Sequence, residues 1–306
     1  MFEQGRRGSV ACAGAVLAAS LLGSAHAQTG LQLSLGAQYS DGDYDESTNT
    51  EALVVPFVAR MTSGPWMLSA TVPLVSVRGP ENVADLLDDD GGAHSNSGSG
   101  GSGSSNSGPG SDNSGPGGGG EDEEEGEGAP PVVPPASFPD DHEASGLGDI
   151  SISAGYSFSS IRNSPLYVDT RARVRFPSGD RIEGLGVGAT DWTVLCETGV
   201  DLSSGGFYVL GGRRFLGDVE DLERVDGWQA GAGAWLNAGP RVMLGVDYDW
   251  RESSTPDGTA PSSLEGYLVW SLDAAWRIEF NAGAGLSSAS ADYSLGFTLS
   301  WRNAAR

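Results

Sequence analysis

The sequence is short of cysteine, histidine and basic residues. It has 2 cysteines and 3 histidines in 306 residues, and 17 Lys plus Arg against 41 Asp plus Glu. The resulting net charge of −24 repels phosphate groups, so nucleic acid is not expected as a partner. Clusters of His and Cys with metal-ligand spacing are also missing, so we expect neither a metal site nor a cofactor.

The scarcity of histidine also argues against an enzyme. His26 lies in the N-terminal segment, and His94 and His142 lie in or beside an acidic region at 79–145. Membrane-embedded barrel phospholipases and proteases need a histidine near the barrel rim, and a serine nucleophile needs such a base to activate it. No histidine falls on a predicted strand. We therefore expect a protein that is not an enzyme.

Long apolar runs are missing as well. Beyond the N-terminal segment no stretch of 18 or more apolar residues occurs, which excludes a membrane-spanning helix. Residues 1–27 instead have the pattern of a secretory signal peptide: the positive Arg6-Arg7, an apolar stretch at 10–22, and the small-residue cleavage site Ala25-His26-Ala27. The mature chain would begin at Gln28.

Two other interpretations of the N-terminal segment are weaker. Arg6-Arg7 could belong to a twin-arginine signal, but paired arginines are common in such segments. Cys12 could be a lipidation site, but it lies at the start of the apolar stretch and not just after it. Loss of the signal leaves Cys196 as the one cysteine, so no internal disulfide is expected, and its alternation places the thiol on an apolar face.

The acidic region at 79–145 differs from the rest of the chain. It contains 15 Asp plus Glu and no Lys or Arg, among Gly, Ser, Asn and Pro. This composition cannot bury a core, so we predict a disordered extracellular loop that separates barrel strands at 28–78 from those at 146–302. Carboxylates at 88–90 and 121–127, and Asp41, Asp43, Asp45 and Glu46 in the first outer loop, could bind calcium. Without EF-hand or RTX spacing, a solvated acidic linker is the better interpretation.

The folded part shows a period of two. From Leu166 to Phe176, apolar or small residues alternate with polar and mostly charged ones, as in a strand with two different faces. No useful 3.6-residue repeat is present, so the fold class is all-β. The same alternation and the turn residues predict about twelve strands, at 30–39, 51–60, 65–76, 147–158, 166–176, 190–201, 206–215, 226–236, 240–251, 262–272, 275–286 and 290–301.

The connections between these strands alternate between long and short. Outer-membrane barrels have short periplasmic turns and longer outer loops, and an even strand count returns both termini to the periplasm. We therefore predict an antiparallel transmembrane β-barrel in the outer membrane of a Gram-negative bacterium. A soluble sandwich would expose a far larger apolar surface than water-soluble proteins do. The tryptophans near strand ends predict aromatic girdles: Trp66, Trp192, Trp228, Trp235, Trp250, Trp270, Trp276 and Trp301.

Charged residues on the strands must then face the lumen. An arginine facing lipid near the midplane costs about 2–4 kcal/mol, so three in alternation would cost on the order of 6–12 kcal/mol. The predicted pore-lining residues are Asp169, Arg171, Arg173, Arg175, Glu197, Asp247, Asp249, Glu265, Arg277 and Glu279. Two interpretations stay open: a constriction that selects solutes by charge, or ion pairs that only fill the lumen.

Several motifs resemble a family of outer-membrane barrel proteins labelled as transporter-like or as components of a meta-pathway of phenol degradation. They are Gly146-Leu147-Gly148-Asp149, Phe176-Pro177-Ser178-Gly179-Asp180, Gly184-Leu185-Gly186-Val187-Gly188, Thr190-Asp191-Trp192 and Arg214-Phe215-Leu216-Gly217-Asp218. The resemblance implies passive uptake of small organic solutes, aromatic ones among them. The glycine-rich motif lacks a following helix and is no phosphate loop; it gives an outer loop backbone freedom.

The last strand resembles the signal that the barrel-assembly machinery recognises, with Ser294, Gly296, Leu299 and Trp301 in the matching positions. We expect a channel or facilitator in the outer-membrane bilayer for a small-molecule solute. The alternative is a non-conducting structural or surface-interaction barrel that displays the acidic loop.

Overall fold

The computed structural model describes residues 29–44, 48–80, 138–139, 141–158, 165–219 and 222–303. The predicted signal peptide and most of the predicted acidic loop lie outside these residues. Among the described residues, no helix is long and apolar enough to cross a membrane.

The described residues form thirteen strand segments. Their bounds are β1 Thr29–Gly42, β2 Thr50–Ser63, β3 Trp66–Arg78, β4 Glu143–Leu147, β5 Ile150–Ser157, β6 Leu166–Phe176, β7 Asp191–Leu202, β8 Gly205–Phe215, β9 Gly227–Asn237, β10 Val242–Arg251, β11 Ser262–Ser271, β12 Trp276–Gly285 and β13 Tyr293–Arg302.

These segments close into a barrel of twelve strand positions. Neighbouring strands along the chain pair antiparallel, except that β4 does not pair with β5, and β1 pairs with β13 to complete the ring. The segments β4 and β5 both pair with β3 and share one position. The predicted antiparallel twelve-stranded β-barrel is therefore confirmed.

The position shared by β4 and β5 departs from the predicted strand at 147–158. It begins earlier, at Glu143, so the end of the predicted loop at 143–145 is strand. It is interrupted at Gly148 and Asp149, where the pairing register with β3 shifts by one residue, as in a β-bulge. The bulge lies opposite Pro73, which has no N–H to donate and accepts a bond from Gly148 N at 2.9 Å. Asp149 is buried there.

The two faces of the barrel wall differ as the alternation predicts. Large apolar side chains are exposed outward along the strands, among them Leu35, Phe57, Leu74, Val209, Leu244, Phe280 and Leu295. Exposed tryptophans lie at or next to strand ends: Trp66, Trp192, Trp228, Trp270 and Trp276. Such a belt is suited to lipid and not to water. The prediction of an aromatic girdle is wrong for Trp235, because this side chain packs inward against Met243, Tyr267 and Val269.

Candidate functional site

All ten predicted pore-lining residues lie on the inner face of the barrel. Six of them are buried: Asp169, Arg173, Arg175, Asp247, Glu265 and Glu279. Four are partly buried: Arg171, Glu197, Asp249 and Arg277. Asp247 is 0% exposed and Arg175 is 2% exposed. The lumen at these levels is therefore narrow and lined closely by side chains.

Positive charge is concentrated at the end of the lumen that carries the long loops. Arg173 and Arg175 lie near the end of β6, Arg214 near the end of β8, and Arg251 at the end of β10. All four are at most 6% exposed, and we call them the arginine cluster. The three strands are spread over five neighbouring positions of the ring, and all four arginines are buried on its inner face near the same end. The cluster therefore occupies one arc of the inner face at this end.

Asp191 is bound by Arg175 of the arginine cluster and by residues of the β8–β9 loop. Arg175 donates to its Oδ2. Arg224 binds it through two nitrogens, each 2.9 Å from a carboxylate oxygen, and Gly217 N donates to Oδ1 at 2.8 Å. Charge-assisted bonds in a paired geometry are among the strongest in proteins. The Asp191 carboxylate thus joins the barrel wall to the β8–β9 loop at 216–226.

Arg224 was not among the predicted site residues. It lies in a loop, where no alternation indicates direction, yet its side chain is only 3% exposed. The loop also folds inward at Val219, which is buried, and at Val225, whose N–H donates to Ser254 O at 2.7 Å. The β8–β9 loop therefore covers part of the mouth of the lumen.

A second loop, β6–β7 at 177–190, also folds into the mouth. Leu185 is buried with inner-face residues of β2, β3 and β4, and Asp149 at the bulge accepts bonds from Gly179 N at 2.8 Å and Val187 N at 2.9 Å. The glycine-rich motif supplies the backbone freedom predicted for it, since Gly184 and Gly188 have φ of 70° and 81°.

Below the arginine cluster lies a carboxylate belt formed by Asp169, Glu197, Asp247, Asp249, Glu265 and Glu279. Tyr167 donates to Glu197 Oε1 at 2.7 Å, and Asn281 donates to Glu265 Oε2 at 2.9 Å. Within the described part of the chain, no group of three or more such side chains is arranged to hold a metal ion. The inner face is thus positive at the mouth and negative at the belt, and Arg277 lies on it near the opposite end of the barrel.

Buried tyrosines accompany the belt and were missed as site residues. Tyr167, Tyr208 and Tyr267 all point inward and are at most 8% exposed. The alternation that identifies inward charges places these tyrosines on the same face, so the signal was present. Tyrosines also occur among the outward aromatic residues, so the residue type alone did not identify these three as lumen residues.

The wall formed by β2 and β3 is mostly apolar on the upper part of its inner face. The pairing of Ser34 with Val58, and of Val54 with Val75, identifies the inward residues. Toward the mouth they are mostly apolar, namely Ala52, Val54, Pro56, Val58, Thr71, Pro73, Val75 and Val77, while Arg60 and Ser69 continue the same face toward the β2–β3 turn. In ring order this wall lies opposite β9 and β10, and β10 carries Arg251. The apolar upper part of this wall therefore lies opposite a strand, β10, whose inner face is charged.

The residues of the predicted assembly signal lie on β13, next to the closing strand β1. Ser294 and Gly296 face the lumen, where a Cβ at Gly296 would meet Asn281 Oδ1 at 2.0 Å. Leu299 and Trp301 alternate with them onto the outer face. Recognition by the assembly machinery stays a prediction.

Comparison with known proteins supports the fold. No protein-family model and no curated protein matches the sequence. The structure is similar to an outer-membrane channel from Pseudomonas putida F1, with a TM-score of 0.58 and 10% identity over 92% of this chain and 97% of that chain. Weaker similarity exists to the KdgM porin, with a TM-score of 0.47 and 8% identity over 88% and 98% of the two chains. The fold is that of outer-membrane β-barrels.

Proposed function

We propose that this protein is a non-enzymatic channel or facilitator in the outer membrane of a Gram-negative bacterium, through which small organic solutes pass without energy input. The family resemblance of its motifs adds aromatic compounds to the candidate solutes. The single observation that carries the proposal is the layered charge on the inner face of the barrel.

The physical reason is the cost of burying charge. Moving an ionised side chain from water into a dry, low-dielectric interior costs several kcal/mol even after relaxation, and a hydrophobic filling of the same volume is often more stable. A barrel that needs only a filled interior has no use for the arginine cluster and the carboxylate belt. Inward charges at two levels favour a hydrated path that discriminates among solutes by charge.

The expected constriction is formed by Arg171, Arg173 and Arg175 with the carboxylates of the belt. Replacing the three arginines by Ser should change single-channel conductance or ion preference in a planar bilayer. Arg213→Ser is the matched control, because Arg213 faces outward with its guanidinium 5.0 Å from the Trp228 ring centre. If the triple variant keeps the conductance and ion preference of the control, these arginines do not form the constriction.

A second candidate function is a non-conducting structural or surface-interaction barrel. The observation that favours it is the close filling of the lumen, with Asp247 and Glu265 at 0% and 1% exposure and two loops folded into the mouth. On this view the inward charges serve packing, and the region at 79–145 meets cations, neighbouring proteins or a host. Absence of conductance in every variant that removes the covering segments would favour this candidate.

A further inference from the structure

We propose that Gly233 and Gly245 keep the lumen open beside the carboxylate belt, because each glycine lets the ring of an inward tyrosine lie along the barrel wall instead of across the lumen. Tyr208 lies over Gly233, and Tyr267 lies over Gly245. The inference deepens the proposed function by naming residues that set the width of the path, and it rests on that function for its physiological meaning. The position of the rings is measurable without any conduction.

Each tyrosine faces its glycine directly across two neighbouring strands. Tyr208 of β8 pairs with Gly233 of β9, and Gly245 of β10 pairs with Tyr267 of β11. Neighbouring strands lie about 4.7–4.9 Å apart, so a tyrosine side chain that lies along the wall extends over the residue opposite. Gly233 also pairs with Asp247, which places these pairs on the inner face and beside the belt.

The tyrosine rings occupy the space that a side chain on either glycine would take. A Cβ added to Gly245 would lie 2.1 Å from Cζ and 2.3 Å from Oη of Tyr267. A Cβ added to Gly233 would lie 2.2 Å from Cε1 of Tyr208 and 2.0 Å from Oδ1 of Asp247. Since the outer part of each ring lies over the facing strand, the ring extends sideways along the wall and not toward the barrel axis.

The backbone does not require glycine at either position. Gly233 and Gly245 lie within paired strands, and neither is among the described glycines with positive φ. A glycine inside a strand weakens that strand and is typical of a place where another group approaches closely. The property used here is therefore the missing side chain and not conformational freedom.

The consequence for the lumen follows from the contact distances. Carbon atoms in contact are about 3.5–4.0 Å apart, so a methyl group at Gly245 would push the end of the Tyr267 ring away by roughly 1.5 Å. The strand lies behind the ring, so the ring moves toward the lumen. A methyl group at Gly233 would displace the Tyr208 ring and the Asp247 carboxylate together. In a lumen lined this closely, either change narrows the path, and pore width is a main determinant of passage.

The first test compares alanine variants of the glycines in a planar bilayer. Gly245→Ala should lower single-channel conductance at least twofold. Gly233→Ala should do the same and also shift the reversal potential in a salt gradient, because it displaces the charge of Asp247. Gly266→Ala is the matched control, since this glycine pairs with the outward Val246 and a Cβ there would have no neighbour closer than 4.0 Å.

Unchanged conductance in Gly245→Ala, or an equal loss in Gly266→Ala, would overturn the proposal. An unchanged reversal potential in Gly233→Ala would contradict the displacement of Asp247.

Removal of the ring separates its position from a general effect on folding. Tyr267→Ala alone should leave the conductance within twofold, because the ring does not lie across the path. Tyr267→Ala combined with Gly245→Ala should restore the conductance to within twofold of the unaltered protein. A large increase in Tyr267→Ala, or no recovery in the combined variant, would contradict the proposal. The heat-modifiable mobility of folded barrels on gels confirms folding, and Tyr267→Ala keeps the test decisive if Gly245→Ala does not fold.

A chemical measurement reports the ring without any conduction. The refolded chain from Gln28 onward is treated in detergent with tetranitromethane, and nitration of Tyr267 is measured by mass spectrometry. Because Tyr267 is 5% exposed, nitration should be slow in the unaltered protein, at least fivefold faster in Gly245→Ala, and within twofold of the unaltered rate in Gly266→Ala. Equal nitration in the two variants would overturn the position of the ring. Faster nitration in a protein that never conducts would support that position while contradicting the channel.

Discussion

Arg224 is predicted to hold the β8–β9 loop inside the mouth of the lumen, and its removal should release that loop. Arg224→Ala deletes the two bonds of 2.9 Å to Asp191 and the bond of 3.1 Å to Gly217 O. Asp191 keeps Arg175 and the N–H of Gly217. The wall stays paired while the loop loses its charged attachment.

The magnitude follows from the burial of both partners. Their side chains are 3% and 5% exposed. Because Asp191 keeps other partners, the loss is that of two buried hydrogen bonds to a charged group, together about 3–5 kcal/mol. If this loss falls on local opening of the loop, the opening equilibrium rises by about two to three and a half orders of magnitude, since each 1.4 kcal/mol is a factor of ten. Global unfolding should change less, because the strand pairing of the barrel is untouched.

Amide hydrogen exchange measures this opening residue by residue. The informative amides are Gly217 and Val225, which donate to Asp191 and to Ser254. Arg213→Ala is the matched control on the same hairpin, because its ion pair with Asp226 is 4.0 Å long and more than a third exposed. Exposed pairs of this kind contribute about 0–1 kcal/mol.

The two variants should therefore separate clearly. Exchange at Gly217 and Val225 should accelerate at least a hundredfold in Arg224→Ala and less than about tenfold in Arg213→Ala. Equal protection in both variants would refute the role of Arg224 in fastening the loop.

Three further predictions concern topology, orientation and the second loop. A glutamate-specific protease added to whole cells should cut within 121–127, and protection there would mean that the barrel is inserted the other way round. Phe280→Arg at mid-strand should lower the free energy of unfolding in a bilayer by about 2–4 kcal/mol, and Trp276→Arg at the strand end by about 0–1 kcal/mol; equal costs would contradict a lipid-facing belt. Leu185→Asp should accelerate amide exchange across the β6–β7 loop at least tenfold, whereas Ile182→Asp, at a side chain 85% exposed, should not; no difference would contradict the apolar anchor.

The strands and the direction of their charged faces were predictable because a charged side chain that faces lipid is energetically costly. On β6 a shift of one residue would place Arg171, Arg173 and Arg175 in lipid, so the period of two determines their direction. On β2 the same reasoning fails. Val54 and Val58 face inward, Leu53 and Phe57 face outward, and both sets are apolar. The register there is set by pairing with β1.

Two features could not be predicted from the sequence, each for its own reason: the early start of β4 and the attachment of the β8–β9 loop to Asp191 through Arg224. Glu143 to Gly146 are polar and small, so their composition matches the acidic loop, and pairing with β3 overrides that local preference. The contact of Arg224 with Asp191 joins residues 33 positions apart. It depends on how a loop folds, for which periodicity gives no information.

The measurement that tests the central claim most directly is planar-bilayer conductance of the refolded chain from Gln28 onward. It should be compared with Arg224→Ala and with a form in which 81–137 is replaced by a short glycine linker. That linker has little distance to span, because Phe138 N donates to Pro80 O at 2.7 Å. We predict steady steps in all three forms, which grow or become more frequent in Arg224→Ala because the β8–β9 loop is released from the mouth. Silence in all three forms would contradict a conducting lumen and leave the structural barrel as the better account.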